Sequence, residues 1–258
     1  MRSGAAFHVG NGDKTGDEGM TAKTALVIGA SSSLAVALCR GLAARGWQLV
    51  ITGRNQEELA LQATDLRVRY AVNVTTHLLD LSDFLPENLV TKAGHVDALF
   101  IVAADMGNGN HNDPANIAHC IRINFTAPAQ LLTVFAEAME ARGNGTLVVI
   151  SSVAGDRGRQ RNYPYGSAKA GITAFASGLR NRLAGKNVHV MTAKPGFIDT
   201  PLTYSMHSRL IASRESVAEA IIKAFEKRRD VIYVPFFWWY IMLIVRNIPE
   251  AIFKKLNL

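Results

Sequence analysis

Tyr165 and Lys169 stand four residues apart in Tyr165-Gly-Ser-Ala-Lys169. On a helix that spacing puts phenol and ammonium on one face. A neighbouring cation favours tyrosinate, lowers the tyrosine pKa and lets Tyr165 give or take a proton. The Tyr-x-x-x-Lys pattern is common by chance, so its context matters. Ser152 ends an apolar run 13 residues earlier, and Asn124 lies in the helical segment ahead of that run.

A second constellation lies near the start. Thr24–Ile28 runs into Gly29-Ala30-Ser31-Ser32-Ser33-Leu34-Ala35 and then a helical pattern. A turn of small residues lets the backbone approach a diphosphate, and the helix N-terminus offers free N–H groups and a positive dipole end. The next apolar run ends Ile51-Thr52-Gly53-Arg54-Asn55. Such a run usually ends near an acid that binds the ribose hydroxyls of a dinucleotide. Arg54 suits a 2′-phosphate instead, which points to NADP rather than NAD. Asp80, before Leu81, suits either the adenine amino group or the cap of the next helix.

These residues need elements to hold them. Short apolar runs at Thr24–Ile28, Trp47–Thr52, Thr76–Leu79, Ala98–Val102, Thr146–Ser151, Val188–Ala193 and Val231–Val234 read as strands covered on both faces. Helical patterns lie between them, at Gln56–Arg67, Ser82–Ala93, Ile117–Arg142, Tyr165–Leu183 and Ser216–Lys227. The alternation predicts an α/β fold: a Rossmann-type, doubly wound parallel sheet of about seven strands flanked by helices on both faces. Residues 1–19 are polar and glycine-rich and read as an extension. Residues 20–258 read as a single domain with a hydrophobic C-terminal extension, 235–258.

The chain resembles the short-chain dehydrogenase/reductase family across Thr21–Val234. The likeness rests on the Gly29 turn, Asp80-Leu81, Asn124, Ser152, Tyr165, Lys169 and the run Lys194-Pro195-Gly196-Phe197-Ile198-Asp199-Thr200. The resemblance implies that Tyr165 is the general acid of carbonyl reduction and that Ser152 holds the substrate oxygen. Lys169 then tunes the tyrosine and binds the nicotinamide ribose, and Asn124 anchors a water that relays protons through Lys169. Gly29, Ser31, Ser32, Ser33, Leu34, Arg54, Asp80, Leu81 and Ala103 would hold the rest of NADP(H), with Pro195, Gly196, Ile198 and Thr200 beside the nicotinamide. Two departures stand out. Ser33 and Ala35 replace the second and third glycines of the family turn. Ile101-Val102-Ala103-Ala104 replaces Asn-Asn-Ala-Gly, which implies altered packing rather than lost chemistry. Family members usually pair the helices around Asn124 and Tyr165 as homodimers or homotetramers.

The substrate end is less regular. Arg157, Arg159 and Arg161 lie within five residues beside the catalytic pair. They suit an anionic substrate group, or else a solvated or intersubunit loop. Pro201–Arg214, with Tyr204, Met206 and Leu210, is expected to be a lid. The tail carries Trp238, Trp239 and Tyr240 with Arg246, Lys254 and Lys255. It suits a peripheral membrane contact or, equally, a subunit contact. The tail, the arginine loop and Ile101-Val102-Ala103 resemble one branch of the family, the decaprenylphosphoryl 2-ketopentose reductases, which would make the substrate a ketosugar on a lipid phosphate.

Composition limits the rest. The 258 residues carry 28 Lys+Arg against 21 Asp+Glu, a formal charge of +7. The longest apolar run, Val231 to Val245, spans 15 residues and contains Pro235, whereas a membrane-crossing helix needs about 20. Cys39 and Cys120 read as free core thiols, and no Cys/His cluster has metal-ligand spacing. The charge has no nucleic-acid recognition motif beside it. The expectation is a cytoplasmic reductase of a small-molecule or lipid-linked ketone, possible at the membrane surface. The alternatives are a general short-chain ketone or ketoacyl reductase, and an NADP-binding scaffold without turnover.

Overall fold

The computed structural model describes residues 22–199 and 210–256. Seven strands form one parallel sheet: β1 (Thr24–Ile28), β2 (Gln48–Gly53), β3 (Val74–Leu78), β4 (Ala98–Ile101), β5 (Gly145–Ile150), β6 (Val188–Pro195) and β7 (Val231–Val234). Their order is β3-β2-β1-β4-β5-β6-β7. The register sets Val27 beside Ile51 on one side and Phe100 on the other. The chain winds outward from β1 in one direction and from β4 in the other. A crevice must therefore open at the carboxyl edge between β1 and β4. This is the doubly wound architecture expected.

Helices start where short polar side chains can take up first-turn N–H groups. Ser32 Oγ accepts from Ala35 N at the head of α1 (Ser33–Ala43). Asn55 Oδ1 accepts from Glu57 N and Glu58 N ahead of α2 (Gln56–Tyr70). α3 (Pro86–Ala93) starts later than Ser82, because Asp80 spends its carboxylate on a turn at Ser82 and Pro86 is the first residue able to begin a helix. α4 (Pro114–Ile121) and α5 (Ala127–Arg142) are joined by a π-helical turn, Arg122–Thr126. α6 (Tyr163–Arg182) and α7 (Arg214–Glu226) follow.

Two apolar layers cover the sheet. One packs α1, α2 and α7 on Ala25, Val27, Leu49, Ile51 and Phe100. The other packs α3, α5 and α6 on Leu26, Ile28, Leu99, Ile101 and Val149. Ile101 and Val102 sit 1% and 5% exposed, so the positions that are asparagine in the family pattern are core here. The tail forms α8 (Phe237–Asn247) and α9 (Glu250–Phe253), and a cis Val234–Pro235 bond precedes them. Trp238 and Met242 of α8 close a third apolar cluster with Val153, beneath Phe197 and Tyr233. No helix among the described residues is long and apolar enough to cross a membrane.

Candidate active site

The carboxyl edge of the sheet collects the expected residues. Ile28, Gly29, Ser31, Ser32, Gly53, Arg54, Asp80, Leu81, Ala103 and Ile123 line one crevice. Gly29 has φ +80°, and a Cβ on it would lie 2.7 Å from the Cα of Ala103. Only glycine fits there, and only a small residue fits opposite. Ser33 and Leu34 do not line the crevice. Leu34 is 6% exposed and its side chain belongs to the core, so it has only its first-turn N–H to offer an anion, whereas half-buried Ser33 also has a hydroxyl.

Arg54 is exposed at the crevice rim. Hydrogen bonds from Ser82 hold the Asp80 carboxyl below its usual range; at Asp105 burial is outweighed by the Gly107 N–H and His119, and the Arg54 charge adds a smaller push at both. Asp80 accepts from Ser82 N at 2.8 Å and Ser82 Oγ at 2.7 Å. It thus caps a turn rather than α3, while still lining the crevice.

Further along the same sheet edge, after β5, Ser152, Tyr165 and Lys169 converge. Ser152 follows β5 and leads into a 3-10 turn, Val153–Gly155. Two glycines let that turn touch α6. A Cβ on Gly155 would lie 2.7 Å from Ala170 N, and one on Gly166 2.9 Å from Ala154 O. Ser151 Oγ hydrogen-bonds to Lys169 O at 3.0 Å and to Thr173 Oγ1 at 2.6 Å, pinning α6 to β5. Gly155, Gly166 and Ser151 position Tyr165 and Lys169, yet no local pattern marks them.

Lys169 is 2% exposed, and its Nζ donates to Ile150 O at 3.0 Å. It lies 5.6 Å from the centre of the Tyr165 ring. Burial pushes Lys169 down to about 8 and Tyr165 up to about 12, and a hydrogen bond with Ser152 only partly opposes the latter. The expected lowering of the tyrosine by the lysine is therefore absent from the protein alone. Desolvation outweighs the ammonium, which is aimed at a carbonyl. Tyr165 holds its proton, as a proton donor must.

Asn124 is fully buried within the π-helical turn. Its Nδ2 donates to Cys120 O at 2.9 Å and to Asp105 O, and its Oδ1 accepts from Asp105 N at 3.2 Å. The side chain is spent on fixing the loop after β4.

The three arginines separate. Arg157 donates to Val245 O, Arg246 O and Ile248 O at 3.1, 3.0 and 2.6 Å, pairs with Glu250 at 2.7 Å and lies over the Phe253 ring. It closes the C-terminal carbonyls of α8, so the tail, distant in sequence, occupies both terminal nitrogens that the sequence reading offers to a substrate anion. Arg159 reaches Met242 Sδ at 3.5 Å, while its buried Nε has no partner. Arg161 is exposed.

A buried network joins this loop to β6. Lys194 Nζ pairs with Asp156 Oδ1 at 2.6 Å, with both side chains under 10% exposed, and Tyr233 Oη donates to Asp156 Oδ2 at 2.6 Å. Gly196 follows, and its missing Cβ would fall 1.8 Å from Trp238 Nε1. The tail claims that space, and the Gly196 N–H donates to Val234 O at 2.9 Å. Pro195 ends β6, and Ile198 bridges to Ala212. Thr200, Tyr204 and Met206 lie outside the described residues.

A dinucleotide would fit this arrangement. Lys169 has three N–H donors and one protein acceptor, leaving two for ribose hydroxyls. The Gly29 turn and α1 N-terminus suit a diphosphate, and Arg54 a further phosphate.

A doubly wound sheet with this tyrosine, lysine and serine at its carboxyl edge defines a dinucleotide-dependent oxidoreductase class. The sequence model described as short chain dehydrogenase matches residues 23–210, and the chain belongs to that family. It is 34% identical over 239 residues to an uncharacterized oxidoreductase of Mycobacterium tuberculosis, covering 90% of this chain and 96% of the relative. The ketoacyl reductase HetN of Nostoc sp. is 27% identical, with 83% of this chain and 79% of HetN covered. Among solved structures, the short-chain dehydrogenase from Sphingobium yanoikuyae in complex with NADPH superposes with a TM-score of 0.77 at 23% identity. That match covers 89% of this chain and 97% of the other.

Proposed function

We propose that the protein reduces a ketone to a secondary alcohol with NADPH. The observation that carries this reading is the convergence of Ser152, Tyr165 and Lys169 after β5, on the same carboxyl edge of the sheet as the crevice that holds Arg54. NADPH, when bound, supplies the hydride to the carbonyl carbon. Ser152 Oγ donates a hydrogen bond to the carbonyl oxygen, and Tyr165 Oη gives that oxygen its proton. Lys169, charged or readily charged near pH 8, steadies the tyrosinate left behind and returns a proton to it from solvent. The Asn124 carbonyl is the point where a relaying water would dock.

The substrate reading is an anionic ketone, which includes a ketosugar on a lipid phosphate. It is supported by Arg159, a guanidinium whose burial lowers its pKa and whose Nε has no partner beside the catalytic loop. The family's usual pairing supports assembly as a homodimer or homotetramer. The test is NADPH oxidation against matched ketones with and without a phosphate or carboxylate. Turnover that favours the anionic member, and loses that preference in Arg159→Met, supports the reading. Tight NADPH binding without turnover of any ketone would favour a scaffold.

A further inference from the structure

The last described stretch, residues 236–256, shows two faces. On α8, Trp238 and Met242 turn inward and are 3% and 0% exposed. Phe236, Trp239, Tyr240, Leu243 and Ile244 follow helical spacing on the other side and are 42–68% exposed. Ile252 and Leu256 extend this apolar surface. Among the described residues, eight of the fifteen exposed large apolar side chains fall in this one stretch, so the patch is concentrated rather than scattered. It is also held in place. Arg157 fastens the end of α8 to the catalytic loop, and the inner face is core.

The charges around the patch indicate its partner. The stretch contains Arg246, Lys254 and Lys255, all exposed, and a single acid, Glu250. Glu250 is already paired with Arg157 at 2.7 Å, and neither Lys254 nor Lys255 has an ion-pair partner among the described residues. A second copy meeting this patch about a two-fold axis would repeat the same cations on both sides. A layer of anionic headgroups would instead pair each of them, while Trp239 and Tyr240 suit the boundary between headgroup and acyl chain. With 11 residues, α8 has the length to lie in such a plane and not to cross it.

We propose that α8 and α9 seat the protein on an anionic lipid surface. The Phe236–Ile244 stripe enters the acyl boundary, and Arg246, Lys254 and Lys255 meet lipid phosphates. The inner face of the same helix packs on Val153 and against Gly196, so about one helix diameter, 10–12 Å, separates the lipid from the catalytic loop. The docking surface is independent of which ketone is reduced.

The test uses the full chain and vesicles of phosphatidylcholine with or without phosphatidylglycerol. The protein should sediment with the anionic vesicles, and salt should weaken this. Trp239→Glu/Ile244→Glu should abolish it, and Lys254→Glu/Lys255→Glu should weaken it about tenfold or more. Trp239 is the most exposed of the three tryptophans, so emission should shift to the blue on binding, and Trp239→Phe should remove the shift. An unchanged thermal unfolding transition in each variant separates lost binding from lost fold. Wild type that stays in the supernatant with anionic vesicles overturns the proposal, as does binding indifferent to salt and to the lysines. If light scattering instead shows that the Trp239→Glu/Ile244→Glu variant splits a dimer, with no vesicle binding by the wild type, a second copy covers the face.

Discussion

The Arg54 crevice and the surroundings of Tyr165, both on the carboxyl edge of the sheet, are built by different means. The crevice is the local end, made of near neighbours: a glycine turn, a serine cap and an arginine at a strand end, all within about thirty residues of one another. The Tyr165 end is framed by partners far apart in sequence. Asp156 meets Lys194 and Tyr233, Arg157 meets residues 245–250, and Trp238 meets Gly196. Arg54 and Arg157 are the same residue type on the rim of the same sheet edge, yet one is free for a ligand and the other is part of the frame. Residue type beside a site does not assign a role; what the guanidinium fork already holds does.

The chemistry between the two ends should show the largest effect. Tyr165→Phe removes one oxygen from a side chain whose burial keeps it protonated. Ketone reduction should fall by about 10³-fold or more, since positioned proton transfer contributes about 10²–10⁴. NADPH affinity, measured by fluorescence titration, should change little. Persistent turnover would remove the proton-donor assignment.

The next largest effect belongs to the long-range end. Lys194→Met leaves the Asp156 carboxylate buried beside a tyrosine and without its cation. Breaking such a pair costs about 3–5 kcal/mol. Urea unfolding should show that loss, and adding Asp156→Asn should recover part of it, because the stranded charge goes as well. A cost under about 1 kcal/mol would mean that water reaches the pair and that it does not frame the site.

Much of this layout was legible in the sequence, for reasons that particular residues make plain. The central strands read correctly because each is a short apolar run covered on both faces, as in Ala98–Ile101, while the edge strands β3 and β7 are only partly covered. Tyr165, Lys169 and Ser152 could be placed together from the sequence because their spacing is short, and they do converge. Lys194 and Asp156 were visible as residues but not as a pair, since they meet only once β5 and β6 are known to be neighbours. The upward shift of the Tyr165 pKa departs from the sequence expectation for a related reason. Spacing gives the ammonium beside the phenol, but not the burial that outweighs it or the Ile150 carbonyl that holds the lysine.

At the local end, Arg54→Ala should raise the Michaelis constant for NADPH by roughly tenfold or more, the loss of one charge-assisted contact, and barely change that for NADH. Steady-state kinetics with both cofactors check this. Equal effects on the two would detach Arg54 from the 2′-phosphate and remove the functional half of the contrast with Arg157.

Arg157→Ala completes the contrast with the smallest expected effect. The side chain satisfies three carbonyls at the end of α8 and one exposed carboxylate. A cation at a helix C-terminus is worth about 0.3–1 kcal/mol, up to about 2 when partly buried, and the pair with exposed Glu250 adds little. The variant should therefore lose about 1–2 kcal/mol, concentrated in the tail. Hydrogen exchange should speed up at residues 245–253 while β1 and β2 stay protected. The Michaelis constants for neutral and phosphorylated ketones should shift together, because a loosened Trp238 disturbs Gly196 whatever the substrate carries. A selective loss for the phosphorylated ketone, with tail exchange unchanged, would return Arg157 to the substrate and make the two rim arginines alike after all.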